Sequence, residues 1–276
     1  MSYTELTVEL KPMQPFADIL VARLNEINYE TFLLEENILK CYIQTSILQK
    51  NESIDIILSL SDQTKINYFF NKIDKKNWNA KWEESFSPVK INSNCIIRAD
   101  FHKENKDIEH EIVITPKMSF GTGHHETTFL MSNEIFNIKL TNLSILDMGS
   151  GTGVLSIISS KLGAKEVMAI DIDEWAYENS IENSILNNTN NINFFKGDVS
   201  LIRNKNFDCI LANINRNIIL RDLVTYYKSL INGGKLLISG FLVEDFDIVN
   251  KKINEIGFKL INKKNKNKWL MLHLEK

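Results

Sequence analysis

Three glycines separated by single residues follow a short apolar segment and precede a helical pattern, in the sequence DMGSGTG at residues 147–153. The apolar segment 143–147 predicts a buried strand, and the spacing of Leu155, Ile158 and Leu162 predicts a helix with one apolar face. A glycine turn between a strand and a helix is typical of doubly wound α/β domains, whose ligands lie at the carboxyl ends of the strands. Because glycine has no Cβ, the loop also predicts a tight turn that a ligand can approach without meeting a side chain. It therefore predicts a parallel sheet with a ligand site beside its first strand.

The order of strand, loop and helix repeats along the rest of the chain. Such alternation predicts an α/β fold, in which a mainly parallel sheet has helices on both faces. Two closely spaced apolar segments at the end of the chain predict an antiparallel hairpin that closes one edge of the sheet. The predicted strands after the glycine loop are 167–170, 192–195, 209–212 and 235–239, and the strands of the hairpin are 258–261 and 269–274.

The first 74 residues show a different order of predicted elements. Residues 4–10 alternate as in a strand, and a helical stripe follows Pro15. Two more strands, a short helix and a last strand complete a strand–helix–strand–strand–helix–strand order, which predicts a small α+β, ferredoxin-like domain. Trp78, Trp82 and Phe86 then recur at helical spacing. The predicted organisation is therefore a domain at 1–74, a linker helix at 75–90 and an α/β domain at 91–276.

Composition and charge limit the class of protein. Hydrophobic residues make up 43% and charged residues 24%, as in ordinary globular proteins. The formal net charge of −3 argues against a general nucleic-acid-binding protein. No apolar run approaches the roughly 20 residues of a membrane-spanning helix, and no export signal is visible, so a cytoplasmic location is predicted. Cys41, Cys95 and Cys209 fit neither a disulfide framework nor a zinc site; they are interpreted as buried thiols, and no metal is predicted.

The spacing of the loop glycines discriminates between nucleotide cofactors. A dinucleotide site would place its third glycine at position 154, where this chain has Val154. The spacing G-x-G-x-G after an acidic residue is instead typical of enzymes that use S-adenosylmethionine. Asp171, which ends the second predicted strand, is a candidate acceptor for both ribose hydroxyls. Asp198, after the third predicted strand, is either a contact to the adenine edge or a turn residue.

Asn213 ends the fourth predicted strand, in the sequence LANI at residues 211–214. Side chains at this position face the same crevice as the glycine loop. An amide oxygen accepts an N–H from an amine and so holds the amine lone pair toward a methyl group. Adenine-N6 methyltransferases of similar architecture have two prolines and an aromatic ring here, and the ring stacks on a flipped base. This chain instead continues with Ile214, Asn215 and Arg216, which include no proline and no ring. The pattern favours an aliphatic amine as the acceptor.

Four segments together resemble the bacterial methyltransferases of the large-subunit ribosomal protein L11. The segments are FGTGHHETT at 120–128, the glycine loop, DID at 171–173 and LANI at 211–214, and the likeness runs from about residue 77 to the C-terminus. The resemblance implies a Rossmann-like class I methyltransferase domain, preceded by a small substrate-recognition domain, with S-adenosylmethionine as the cofactor. It implies that Thr128, Gly149, Asp171 and Asn213 contact this cofactor, and that amino groups of L11, on lysine side chains or at the α-amine, receive the methyl groups.

The implied reaction is an in-line transfer to a positioned neutral amine. No residue is nominated as catalytic, because orientation of the reactants can supply the rate enhancement without a dedicated base. Two other function classes stay open, a nucleic-acid methyltransferase and a non-catalytic module that binds a nucleoside. The acidic charge argues against the first, and Asn213 argues for a reacting partner and against the second. A monomer is predicted, with no membrane attachment and no direct requirement for nucleic acid.

Overall fold

The computed structural model describes residues 2–73, 86–117 and 119–276. The chain forms two compact units, Met1–Glu84 and Ser85–Lys276. Most of the predicted linker helix, including Trp78 and Trp82, lies outside the described residues. Its last five residues are not helical, because 86–88 have no regular structure and 89–90 form a strand, in keeping with the bias of residues before Pro88 away from helix. The division of the chain at residues 74 and 91 stays a prediction.

The first unit is a four-stranded antiparallel sheet with two helices, in the strand order β2-β3-β1-β4. In the central strand β1, alternate side chains such as Leu6, Val8 and Leu10 are buried beneath the helices, as the period of two predicts. The ferredoxin-like α+β prediction is therefore confirmed. The strands are Tyr3–Lys11 (β1), Thr31–Glu35 (β2), Ile38–Gln44 (β3) and Lys65–Ile73 (β4), and the helices are Phe16–Glu26 and Lys50–Leu58.

The second unit begins with a three-stranded sheet that the sequence patterns did not predict. Its strands are Val89–Lys90 (β5), Cys95–Ala99 (β6) and His110–Ile114 (β7), in the order β5-β6-β7. The side chains of Ile97 and Ile112 are buried in the same apolar cluster as Met131 of the helix Glu126–Ile135. Runs of β-branched residues in β6 and β7 were the available signal.

The main sheet of the second unit has seven strands, in the order β10-β9-β8-β11-β12-β14-β13. Pairing is parallel from β10 to β12, and β14 runs antiparallel to both β12 and β13. The prediction of a mainly parallel sheet with an antiparallel closing hairpin is confirmed. The strands are Ser144–Met148 (β8), Glu166–Asp171 (β9), Ile192–Lys196 (β10), Phe207–Asn213 (β11), Leu230–Leu242 (β12), Lys259–Lys266 (β13) and Trp269–Glu275 (β14).

The closing hairpin inserts its second strand into the sheet. β14 lies between β12 and β13, and its side chains are almost all buried, whereas β13 alternates between exposed and half-buried side chains at the edge. A strand covered on both faces needs a continuous apolar run, and an edge strand does not. The helices of this unit are Glu126–Ile135, Val154–Lys161, Glu174–Leu186, Arg216–Ser229 and Phe246–Ile256.

The three cysteines are buried and unpaired, as predicted. Burial raises the pKa of each thiol to about 12, so none of them is a thiolate near neutral pH. Among the described residues, no helix is long and apolar enough to cross a membrane.

Candidate functional site

The glycine loop joins β8 to the helix Val154–Lys161 at the carboxyl edge of the main sheet. Gly149, Gly151 and Gly153 have φ values of +75°, +54° and +79°, which side chains with a Cβ rarely adopt. The predicted tight turn is therefore present. A Cβ on Gly151 would lie 2.2 Å from the carbonyl oxygen of Phe120, and one on Gly149 would lie 2.1 Å from the side chain of Ile214.

These contacts give the glycines a second role. They were expected to let a ligand approach without meeting a Cβ atom, and at Gly149 and Gly151 the position of a Cβ is also taken by the protein's own chain, so packing requires glycine there as well. Thr152 reinforces the contact with the segment before the helix Glu126–Ile135, because its N–H donates to the Phe120 carbonyl at 2.9 Å and its Oγ1 donates to the Gly121 carbonyl at 2.7 Å. Three separate chain segments are thus held together around the loop.

Asp171, the last residue of β9, presents its carboxylate to the same loop. Oδ2 accepts a hydrogen bond from the N–H of Gly151 at 2.8 Å, and Oδ1 accepts one from the N–H of Asp173 at 3.0 Å. A carboxylate has about four lone-pair sites, so each oxygen can still accept a hydroxyl proton. The carboxylate is therefore oriented by the protein and has free acceptor capacity for a ribose.

A cavity of about 600 Å³ opens at this edge of the sheet. Three of the four predicted cofactor residues, Gly149, Asp171 and Asn213, line it, so the structure brings them together. Thr128 is not in the lining, although its neighbour Thr127 is. The side chain of Thr128 is fully buried and lies behind Asn213.

The two polar atoms of the Asn213 side-chain amide differ in their hydrogen bonding. Nδ2 donates to Thr128 Oγ1 across 3.4 Å. Oδ1 is buried and has no hydrogen-bond partner among the described residues. Because a buried acceptor without a partner is costly, an N–H from outside the protein would satisfy it. The arrangement leaves an oriented acceptor at the end of β11.

Asp198 lines the cavity and also has a local structural role. Its Oδ1 accepts from the N–H of Ser200 at 2.9 Å and caps the short turn Val199–Ile202. The hydrogen bonds from Ser200 hold the pKa of Asp198 below its usual value. Since Asp198 also lines the cavity, the cap accounts for one oxygen, and a contact to the adenine edge stays a prediction.

Asp147, the acid that precedes the glycine loop, is completely buried and is not in the cavity lining. Ser156 Oγ donates to its Oδ2 at 2.6 Å, and its Oδ1 has no partner among the described residues. Burial, with a smaller contribution from the charge of Asp171, raises the pKa of Asp147 to about 6. Asp147 therefore joins the end of β8 to the helix Val154–Lys161 through Ser156 and does not line the cavity.

Three aromatic rings in the cavity lining were not assigned to the site from sequence. Phe120, His125 and Trp269 follow one another with ring centroids 5.0 Å and 4.6 Å apart, and we call them the aromatic wall. His125 also caps the start of the helix Glu126–Ile135, because its Nδ1 accepts from the N–H of Thr127 at 3.3 Å. Phe120 and His125 belong to the FGTGHHETT segment, which was the available signal, whereas Trp269 had none.

The charges of the lining favour a cationic ligand. Four carboxylates line the cavity with one arginine, Arg221, which is paired with its neighbour Asp222. An excess of carboxylates gives the cavity a negative potential that attracts cations. In the described part of the chain, no group of three or more His, Cys, Asp or Glu side chains is arranged to hold a metal ion.

Comparisons with known proteins agree with this geometry. A sequence model of the family described as Ribosomal protein L11 methyltransferase (PrmA) matches residues 18–276. The ribosomal protein L11 methyltransferase of Bacteroides thetaiotaomicron is 39% identical over 273 residues, which cover 98% of each chain. The one from Porphyromonas gingivalis is 41% identical over 258 residues, which cover 92% of this chain and 89% of the relative.

A solved structure supports the same assignment. The crystal structure of ribosomal protein L11 methylase from Lactobacillus delbrueckii subsp. bulgaricus has a TM-score of 0.63 and 27% sequence identity, and it covers 68% of this chain and 97% of its own. Because the family model matches nearly the whole chain and relatives near 40% identity match over its length, the chain belongs to the ribosomal protein L11 methyltransferase family.

Proposed function

We propose that this protein transfers methyl groups from S-adenosylmethionine to amino groups of ribosomal protein L11, on lysine side chains, at the α-amine or at both. We further propose that the enzyme is a monomer, that it acts in the cytoplasm and that it does not require nucleic acid. The observation that carries it is the buried Oδ1 of Asn213, an acceptor with no hydrogen-bond partner among the described residues, on a residue that lines an acidic cavity. The names of the relatives identify L11 as their substrate.

The residues present fit S-adenosylmethionine. The free acceptor sites of Asp171 match the two ribose hydroxyls, and Gly149 and Asn213 lie along the same cavity. Thr128 is proposed to contribute by holding the amide of Asn213. The excess of carboxylates suits a cofactor with a positive sulfonium. When bound, this cofactor would supply an electrophilic methyl group.

The role of Asn213 follows from the protonation state of the acceptor. A lysine amine with a pKa of about 10.4 must lose a proton before it reacts, at a cost of roughly 4–5 kcal/mol at neutral pH, and an α-amine near 8 costs about 1–1.5 kcal/mol. Orientation of two reactants can supply about 7–11 kcal/mol, which exceeds either cost. Oδ1 of Asn213 would accept an amine N–H and direct the lone pair, and no general base is proposed.

The proposal is tested by mass spectrometry of purified L11 after incubation with the enzyme and S-adenosylmethionine. We expect mass increases of one or more methyl groups on L11, and no incorporation into purified ribosomal RNA. Labelling of the RNA would favour the nucleic-acid class. Binding of the cofactor without labelling of either substrate would favour the non-catalytic module.

The role of Asn213 is tested separately by Asn213→Ala. We expect turnover at saturating cofactor and L11 to fall at least tenfold, because without the Asn213 amide the substrate amine is no longer oriented toward the methyl group. The matched control is Asn193→Ala, an exposed asparagine on β10 that is not in the cavity lining. Unchanged turnover of Asn213→Ala would remove this residue from the mechanism.

A further inference from the structure

The aromatic wall lies on the opposite side of Asn213 from Asp171. In the sheet order β9-β8-β11-β12-β14, Asp171 ends β9, Asn213 ends β11 and Trp269 begins β14. Neighbouring strands are about 4.8 Å apart, so Asn213 is about 10 Å from Asp171 along the sheet, and Trp269 is about 10 Å farther on. The proposed nucleoside end and the wall therefore flank the reacting centre from two sides.

Strand pairing places the wall on the same face of the sheet as Asn213. Asn213 pairs with Ser239, and Ser239 pairs with Met271. Trp269 precedes Met271 by two residues and therefore shares its face. Because β14 runs antiparallel to β12, the step from Met271 back to Trp269 leads toward the carboxyl ends of the parallel strands, where the cavity opens.

The first turn of the helix Glu126–Ile135 contacts both the aromatic wall and Asn213. His125 contacts the ring of Trp269, and Thr128, three residues farther along, contacts the amide of Asn213. The His125 ring is fixed by Thr127, whose Oγ1 lies 2.8 Å from its Nδ1. The wall and the proposed amine acceptor are thus held by the same few residues.

We propose that the aromatic wall recognises the side chain of an acceptor lysine and so favours lysine over the α-amine. This inference rests on the proposed function and narrows its substrate. A lysine stem is apolar and packs against rings, while its ammonium binds ring faces by cation–π attraction before it loses a proton. Two lysines of this chain make contacts of the same kind, since the Nζ of Lys263 and of Lys266 lie 3.7 Å and 3.5 Å from the ring centroids of Phe246 and Phe129.

An α-amine has no such stem to place along the wall. Neighbouring rings of the wall are 5.0 Å and 4.6 Å apart, so successive methylene groups of a lysine side chain can contact more than one ring. At the end of the lysine side chain, the lone pair of the neutral Nζ would form a bond to the methyl carbon of S-adenosylmethionine. The bond between that carbon and the sulfonium sulfur would break, its electron pair would stay on sulfur to give a neutral thioether, and the methylated nitrogen would carry the positive charge.

The inference is tested with two forms of purified L11, one with an acetylated α-amine and one with acetylated lysines. The unaltered enzyme, Trp269→Leu and Trp269→Phe are compared by kcat/KM on each form. We expect Trp269→Leu to lower the ratio of lysine to α-amine methylation at least tenfold, mainly through KM for L11. Trp269→Phe keeps a ring and is expected to keep the ratio within threefold.

Two further variants make the test independent of folding at position 269. Phe120→Leu changes a ring that is 53% exposed, and it is expected to lower the same ratio. Trp175→Leu removes a tryptophan that is 66% exposed on the Asp171 side of the cavity, and it is expected to leave the ratio unchanged. An unchanged ratio in both Trp269→Leu and Phe120→Leu would overturn this inference alone. Absence of methyl transfer by the unaltered enzyme to either form of L11 would overturn the proposed function and this inference with it.

Discussion

Asp171 Oδ2 accepts a hydrogen bond from the backbone N–H of Gly151 at 2.8 Å, so the acid that ends β9 is tied directly to the glycine loop that follows β8. The N–H of Asp173 holds the other oxygen at 3.0 Å. Two features that the sequence presents twenty residues apart therefore form one unit. A carboxylate held in this way loses little conformational freedom when a ligand binds, which increases affinity.

Asp171→Asn is expected to weaken binding of S-adenosylhomocysteine roughly 10–100-fold, since a hydrogen bond to a charged group contributes about 1.5–3 kcal/mol. Titration calorimetry measures the change. The matched control is Asp208→Asn, because Asp208 also accepts a backbone N–H, from Ser144 at 2.7 Å, but at the amino edge of the sheet. Equal affinity of Asp171→Asn and the unaltered protein would show that Asp171 does not bind the nucleoside.

Gly151→Ala is expected to abolish binding of S-adenosylhomocysteine and to lower the melting temperature. The φ of +54° is unfavourable for alanine, at about 1–2 kcal/mol, and the Cβ would lie 2.2 Å from the Phe120 carbonyl oxygen. Gly233→Ala is the control, because Gly233 has a φ of +76° but nothing within 4 Å of the Cβ position. The loss of stability in Gly233→Ala therefore measures the backbone strain alone. Similar melting temperatures for the two variants would mean that the Phe120 segment yields to the new methyl group.

Asp147→Asn is expected to become more favourable for stability as the pH rises. The pKa of Asp147 is raised to about 6 by burial, above the ordinary value of about 3.9. Its contribution to stability is therefore greatest below about pH 4 and is lost as the pH rises through 6. Between pH 4 and 7, the free energy of unfolding of Asp147→Asn should gain roughly 2 kcal/mol relative to the unaltered protein. Urea denaturation across this range measures the trend, and a flat difference would contradict the buried-acid assignment.

Glu134→Gln is expected to show the opposite dependence on pH. Burial alone would raise the pKa of Glu134, but hydrogen bonds from Lys264, Asn262, His273 and Asn137 lower it to about 2. The ionised carboxylate therefore stabilises the fold above about pH 4.3, and this contribution is lost as the pH falls toward 2. The advantage of the unaltered protein over Glu134→Gln should shrink by roughly 3 kcal/mol between pH 5 and 2.

This second trend is followed by urea denaturation at several pH values. Lys264→Met is a useful companion, because the Nζ of Lys264 lies 2.8 Å from Glu134 Oε2 and its removal should shift the acid transition to higher pH. An advantage that stays constant down to pH 2 would show that Glu134 is not held in its ionised form.

Local patterns in the sequence were sufficient for most of the fold. Period-two alternation identified β1, and the apolar runs before turn residues identified the parallel strands, because these signals depend only on neighbouring residues. The small sheet β5-β6-β7 was missed because its strands are short and separated by irregular segments. The order of β13 and β14 was also not readable, since either strand of a hairpin can pair with the sheet.

The candidate site divides in the same way. Gly149, Asp171 and Asn213 were expected at one crevice because each follows or ends a strand of a parallel sheet, and all three line the cavity. Thr128 was expected to face the cofactor, but its side chain is buried against Asn213. Contact of all four residues with the cofactor stays a prediction.

The sequence by itself determined which segments are strands, helices and tight turns, and which ligand class the glycine spacing admits. Only the tertiary structure decided that the Phe120 carbonyl occupies the space beside Gly151, that Thr128 holds Asn213, and that Trp269 meets His125. The physical reason is that backbone conformation depends on adjacent residues, whereas contacts between distant side chains depend on strand order and on how the helices pack onto the sheet.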